Sequence, residues 1–373
     1  NPQADMAPAG EKTYRSAEAL CAGEPLSGQR GTVQRLMKQA RYWISLEGGT
    51  IQCVLCPHRC TIRDGTTGVC GVRKNEGGAL VSSVWGLSVA ASVDPIEKKP
   101  LYHLMPGSLS FSIATVGCNM RCAFCQNSDI SQYPAHAGCV AGETLPPEQV
   151  VEAALDRGCS SVSYTYTEPT VFMEYMVDTA RIARQAGLLN VAVTNGYTSP
   201  DVIRDDLAGL IDGANIDLKS FSDGFYRRLC SARLAPVLDA IQAYYESGIW
   251  IEITTLIIPG ENDSPDELRE TARFIRSLSP DIPWHISRYY PRYRHHGAGP
   301  TSVESLEEAR EIGLGEGLLY VYTGNVAGHA GEHTFCPSCG QQVITRRGFF
   351  VEKKAMQDGS CSRCGQNIPG RFP

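Results

Sequence analysis

The sequence has no run of 18 apolar residues, so it offers no membrane-spanning helix and no membrane partner. It has no surplus of positive charge either: 34 Lys and Arg stand against 40 Asp and Glu, a net charge of −6. With no basic stripe there is no electrostatic footprint for nucleic acid. A secreted disulfide scaffold is usually shorter than 373 residues and spreads its cysteines more evenly. Here eleven of the fifteen cysteines fall into three compact groups, at 53–70, 118–125 and 336–364. Such clustering argues for metal and a reducing compartment, with the cytoplasm as the expected location. The remaining four, Cys21, Cys139, Cys159 and Cys230, are expected to be buried small hydrophobes. Asn1 rather than Met opens the sequence, which leaves open the removal of an upstream leader.

The stretch that carries most chemistry is Gly117-Cys118-Asn-Met-Arg-Cys122-Ala-Phe-Cys125, directly after the apolar run Leu109, Phe111, Ile113 and Val116. Three thiolates on one tight loop can hold three irons of a [4Fe-4S] cube and leave the fourth without a protein ligand. An open iron suits a cluster that binds a substrate. A zinc loop or three core cysteines are the competing readings, and the position at the end of a first strand favours the cluster.

From Ser108 to Gly324 strand-like and helical patterns alternate. Strands are expected at 108–116, 160–166, 190–194, 211–218, 250–258, 283–287 and 318–322. Helices are expected at 147–157, 171–185, 199–207, 235–246, 265–278 and 303–312. Strands separated by helices imply an α/β fold with parallel pairing and right-handed crossovers. Six or seven units fall short of a closed eight-fold barrel, so an open, partial barrel is expected, with chemistry at the C-terminal strand ends. Those ends carry Thr167-Glu168-Pro169, Thr194-Asn195-Gly196, Asp217-Leu-Lys219, Glu252 with Pro259-Gly-Glu-Asn-Asp263, Trp284-His285 and Thr323-Gly-Asn325. A salt bridge within the barrel competes with a binding role for Asp217 and Lys219, and a structural role competes with one for His285.

Two further groups flank the barrel. Cys53, Cys56, Cys60 and Cys70, with turn glycines between them, make a small closed site in which tetrahedral zinc is favoured over an auxiliary Fe-S cluster. Cys336, Cys339, Cys361 and Cys364 form two C-x2-C-G knuckles, the pattern of a zinc ribbon. The expected division is a wrapping segment at 1–50, with a helical pattern at Thr32–Tyr42, then a four-cysteine metal module and linker at 51–103. The barrel follows at 104–326 and the ribbon at 327–373. Asp94-Pro-Ile-Glu-Lys-Lys-Pro100-Leu-Tyr-His103 is expected to link module to barrel, either as a solvated connection or as a wall of the cluster pocket.

Taken together, the three-cysteine loop, Thr194-Asn-Gly196, Asp217-x-Lys219, Pro259-Gly-x-x-Asp263 and Trp284-His285 resemble the pyruvate formate-lyase activating-enzyme branch of the radical S-adenosylmethionine (radical SAM) superfamily. The closer resemblance is to the AmmeMemoRadiSam-system radical SAM enzymes. It rests on Cys56-Pro-His-Arg-Cys60, Asp94–Pro100, Tyr164-Thr-Tyr-Thr-Glu-Pro169, Tyr322-Thr-Gly-Asn-Val326 and Ile368-Pro-Gly-Arg371, and it covers nearly the whole chain from Cys53.

The resemblance implies a partial (β/α)6-type radical SAM barrel whose Cys118, Cys122 and Cys125 hold a [4Fe-4S] cluster, with SAM chelating the unique iron. An electron from flavodoxin or ferredoxin then cleaves SAM to methionine and a 5′-deoxyadenosyl radical, which abstracts hydrogen from an unidentified substrate. Glu168 is implied as the acceptor for the SAM amino group, in place of a Gly-Gly-Glu-like segment. Asn195 joins the SAM-binding set, Asp217 and Lys219 are implied at its carboxylate or ribose, and His285 at the adenosine or substrate. Memo-like proteins are implied as partners. A backbone glycine of a partner enzyme is the alternative substrate, although activating enzymes usually carry their extra cysteines after the loop rather than before it. A non-catalytic metal-binding interaction protein is the alternative from a different class.

Overall fold

The structure, a computed structural model, describes residues 37–372. Its centre is one eight-stranded sheet. In chain order the strands are β1 (Ala90–Pro95), β2 (Leu109–Ala114), β3 (Ser161–Tyr164), β4 (Leu189–Thr194), β5 (Gly213–Asp217), β6 (Trp250–Ile257), β7 (Trp284–Arg288) and β8 (Val321–Gly324). Strands β2 to β8 pair in sequence order, all parallel, and β1 adds antiparallel to the free edge of β2. The sheet does not close on itself.

Helices α1 (Pro147–Asp156), α2 (Met173–Gln185), α3 (Leu234–Glu246), α4 (Pro265–Leu278) and α5 (Val303–Gly315) lie in the crossovers. Local chemistry starts them. Pro147 and Pro265 occupy first-turn positions, where a missing N–H costs nothing, and the Ser264 hydroxyl caps α4 by accepting from the Glu267 N–H. Strands covered by helices are buried on both faces, so that even their polar residues, Ser110, Ser112, Ser163 and Asn215 among them, are buried.

Three features depart from the sequence reading. The helical pattern at Thr32–Tyr42 falls partly outside the described residues, as does most of the 1–50 segment with Cys21. Its described part is extended, with Lys38–Gln39 pairing against Val81 and Ser82. The expected helix at 199–207 is a short turn, Pro200–Val202, followed by a π-helical turn, Ile203–Leu207.

The 94–103 segment is no solvated linker. After β1 it runs into the barrel from the N-terminal side, where Leu101, Leu104 and Ile96 pack with Val191. The Pro100 carbonyl accepts from Asn215 Nδ2 at 2.9 Å. Gly213 opens β5 where Leu104 sits: a Cβ on Gly213 would lie 2.6 Å from Leu104 Cδ2.

The C-terminal segment closes the same end. Its last residues pair with the inserted segment through Met105 N to Arg371 O (2.7 Å) and Arg371 N to His103 O (2.8 Å). Gly370, at φ +136°, lies against the His103 carbonyl, where a Cβ would come within 2.2 Å. With one mouth plugged by residues 96–104 and the tail, the other is left for chemistry.

Candidate active site

At the C-terminal strand ends lies a cavity of about 320 Å³. Cys118, Cys122 and Cys125 line one side, and Thr165, Asn195, Asp217, Lys219, Ser287 and Asn325 stand around it. The loop bearing the thiols is docked rather than free. Arg121 N and Ala123 N donate to the carbonyls of Cys230 and Leu229, at 2.9 and 2.8 Å. Those carbonyls belong to a second π-helical turn, Tyr226–Cys230, a local widening that recurs at functional sites. Gly117, at φ +99°, lets the chain leave β2 against Val72, with a built Cβ only 2.7 Å from Val72 Cγ1.

The sulfurs are met by donors. Met120 N–H reaches Cys118 Sγ at 3.4 Å, Asn195 Nδ2 reaches it at 3.6 Å, and Ser131 Oγ lies 3.2 Å from Cys125 Sγ. Burial pushes the Cys118 and Cys125 thiols up, with the Glu168 carboxylate adding to the effect at Cys118. Cys122 moves the other way, through a hydrogen bond with Cys230 and the charge of Lys219. Cys230 is therefore buried, as expected of a stray cysteine, but it touches a candidate ligand.

These residues fit a cluster better than a single ion. Among the described residues, Cys336, Cys339, Cys361 and Cys364 form the set of three or more His, Cys, Asp or Glu whose ligand atoms all lie within 4.8 Å of one another. The three loop thiols are not so gathered. They face a common space bordered by N–H and O–H donors, as sulfurs spread over separate irons require.

Of the residues expected to bind SAM, Asn195, Asp217 and Lys219 stand at the cavity. Lys219 Nζ and Asp217 Oδ2 are paired at 2.8 Å. Burial alone would lower the lysine's pKa; the carboxylate and the neighbouring Cys122 and Cys230 reverse that and keep it charged.

Glu168 and His285 correct the expectation. Glu168 is fully buried behind the cavity wall, where its carboxylate accepts from Thr170 N (3.0 Å), Thr170 Oγ1 (2.6 Å), Thr194 Oγ1 (2.8 Å) and Asn195 N (2.8 Å). It ties the ends of β3 and β4 together, with three of these donors on Oε1 and Asn195 N on Oε2. His285 is the second residue of β7 and so lies toward the opposite, plugged end. Its Nε2 meets Glu252 Oε2 at 2.6 Å, and its ring lies against Tyr102 and Tyr322. Glu252 also accepts the N–H groups of Tyr102 and His103, at 2.9 and 2.8 Å. The pair anchors the inserted segment.

The sequence reading missed Tyr166 and Lys98, both at the cavity. Tyr166 has φ +66° and donates its hydroxyl to Asp94, which also accepts from Lys98 Nζ (2.6 Å) and Lys99 Nζ (2.8 Å). Burial would raise the Asp94 pKa, but the Lys99 charge and these hydrogen bonds outweigh it and hold the carboxyl well below its usual range. The Asp94–Pro100 string thus shapes the cavity through Tyr166.

The two outlying cysteine groups differ. In the C-terminal one, Cys336 and Cys364 sulfurs are 3.6 Å apart and those of Cys339 and Cys361 3.8 Å apart, so one tetrahedral ion fits. Cys53, Cys56, Cys60 and Cys70 were expected to close on one ion in the same way, and they do not: their thiols border a small cavity.

Residues 112–275 match the model of the Radical SAM superfamily. The chain is 41% identical over 335 residues to an uncharacterized protein of Methanocaldococcus jannaschii, covering 89% of this chain and 99% of the relative. It is 23% identical over 210 residues to the pyruvate formate-lyase 1-activating enzyme of Escherichia coli K12, covering 52% of this chain and 85% of that one. A solved domain of a pyruvate-formate lyase-activating enzyme from Bacteroides vulgatus aligns with a TM-score of 0.40 and 20% identity, over 44% of this chain and 99% of that one. Among the described residues no helix is long and apolar enough to cross a membrane. With that family match and three closely spaced cysteines at the C-terminal ends of a parallel sheet, the chain belongs to the radical SAM superfamily and is an enzyme.

Proposed function

We propose that this enzyme cleaves SAM reductively and uses the resulting radical to abstract hydrogen from a substrate still to be identified. The observation that carries the proposal is the placement of Cys118, Cys122 and Cys125 on one wall of a cavity at the C-terminal strand ends, with donors aimed at their sulfurs. When bound, the [4Fe-4S] cluster and SAM supply the bond-breaking electron chemistry, with flavodoxin or ferredoxin as the donor. The protein's own contribution is position and enclosure. Asn195 orients the Cys118 side of the loop, the Asp217–Lys219 pair offers both charges to a zwitterionic methionyl group or a ribose, and Tyr166 with Lys98 walls the far side. The C-terminal thiols suit structural zinc, since fewer than 50 residues bury little core without metal. So many clustered thiols suit a reducing compartment, the cytoplasm.

The strings Cys56–Cys60, Asp94–Pro100 and Ile368–Arg371 favour the AmmeMemoRadiSam-system subtype with a Memo-like partner. Similarity to enzymes named for activating pyruvate formate-lyase supports a second reading, in which the hydrogen comes from a backbone glycine of a partner. The deciding experiment is anaerobic reconstitution with SAM and dithionite. Wild type should release 5′-deoxyadenosine and the Cys122→Ala variant should release none; equal release by both sinks the assignment. A glycyl-radical signal by electron paramagnetic resonance on a co-purified partner would select the second reading.

A further inference from the structure

We infer that Cys53, Cys56, Cys60 and Cys70 hold a second iron–sulfur cluster rather than zinc, in a cavity lined by Arg73, whose buried Nε has no hydrogen-bond partner. The molecule contains its own comparison. Zinc at 2.3 Å from each sulfur of a tetrahedron sets the sulfurs about 3.8 Å apart, in contact with one another and with no room between. The C-terminal thiols meet that condition at 3.6 and 3.8 Å. In the N-terminal group no three ligand atoms, His58 included, come within 4.8 Å of one another, and all four cysteines border one cavity walled by Leu55, Ile62 and Val171. Thiols set back around a space are what a cubane needs, because irons and sulfides stand between the protein sulfurs.

The second observation is independent of the sulfurs. Arg73 is 2% exposed and lines the cavity, and its Nε has no hydrogen-bond partner. The rest of its guanidinium is spoken for: Nη1 and Nη2 grip the Glu174 carboxylate at 2.8 to 3.1 Å, and Nη2 donates to the Arg41 carbonyl at 2.6 Å. A buried N–H left without an acceptor is costly. A cluster with four thiolate ligands is anionic and presents sulfur acceptors, which answers both the charge and the orphaned donor. Val69 N–H already points at Cys60 Sγ, at 3.5 Å. The site backs onto the other loop: Asn119, next to Cys118, is in its wall, and its carbonyl lies 2.7 Å from His58 Nε2.

The test uses the full chain purified anaerobically from cells supplied with iron and zinc. In the C118A/C122A/C125A variant the expected content is about four iron, about four sulfide and one zinc per chain. Two zinc and no iron would overturn the inference, as would one zinc and no iron in a folded variant. Should that variant fail to fold, the wild-type count decides: about eight iron with one zinc supports a second cluster, and about four iron with two zinc overturns it. The two readings are separable. Loss of about half the iron in the triple variant upholds both, whereas about four iron in wild type and variant alike would keep this site and sink the SAM-cluster assignment.

Discussion

Asn195 Nδ2 donates to Cys118 Sγ at 3.6 Å and to the side-chain oxygen of the adjacent Asn119 at 2.9 Å. The same residue's backbone N–H is held by Glu168, so a buried carboxylate fixes the group that fixes the sulfur. Residues behind metal ligands typically change activity 10–100-fold when removed, by roughly that order here as well. Asn195→Ala should therefore lower 5′-deoxyadenosine release about 10–100-fold while iron content stays at the wild-type level. Wild-type turnover in a variant with full iron would show that the contact does nothing for catalysis.

Asp94 makes a different kind of contribution. It pairs with Lys99, which is 1% exposed, and it accepts the Tyr166 hydroxyl at the cavity. Removing one member of a buried ion pair costs about 3–5 kcal/mol. Asp94→Asn should lower unfolding stability by about that amount, and adding Lys99→Met should restore part of it. Denaturant titration of the single and double variants reads the coupling; additive losses would mean that the two charges act separately.

His285 and Glu252 separate stability from SAM binding. Because they sit at the plugged end with Tyr102 and His103, His285→Gln should leave the apparent KM for SAM unchanged. It should cost about 1.5–3 kcal/mol of stability, the range for a hydrogen bond to a charged group. A raised KM with unchanged stability would return His285 to the SAM site.

The strands from 108 onward were legible from recurring apolar residues separated by helical intervals, and each of the seven expected segments overlaps one of β2 to β8, the last by Val321 and Tyr322 alone. Ala90–Pro95 was not, since Ala-Ala-Ser-Val-Asp-Pro shows neither alternation nor an apolar run, and it joins the sheet antiparallel without a crossover helix. Spacing alone singled out the loop thiols, and position at a strand end singled out Asn195, Asp217 and Lys219, all of which line the cavity. The same rule misplaced His285 because it is the second residue of its strand rather than the last. Glu168 is at an end but turns inward, which depends on Thr170 and Thr194 offering it hydroxyls, and no local pattern reports that. Lys98 and Tyr166 escaped notice because one enters the cavity from the short 3-10 turn Ile96–Lys98 and the other from a loop, and the course of both is set by distant packing.

The plug itself has a pH dependence whose sign follows from His103. Its Nδ1 lies 2.7 Å from the Pro369 carbonyl, which can only accept, so that nitrogen carries the proton; Nε2, 2.6 Å from the Tyr322 hydroxyl, is left to accept. The ring is thus neutral. Burial, against the opposing pull of Glu252, pushes its pKa down from 6.5 to about 4. A base with a depressed folded pKa stabilises fully above its unfolded value and loses that contribution as protons bind the unfolded chain first. Stability should therefore decline between pH 6.5 and about 4 by about 1.4 kcal/mol per pH unit, about 3 kcal/mol in all. Other groups titrate in this window, so the measurement is the difference between wild type and His103→Gln in urea unfolding. The gap should narrow by about 3 kcal/mol from pH 7 to pH 4, and hydrogen exchange at residues 103–105 and 368–372 should accelerate first in wild type. A gap that stays constant with pH would mean that His103 takes up its proton equally in the folded and unfolded chain, and the tail would then be held by something other than this neutral ring.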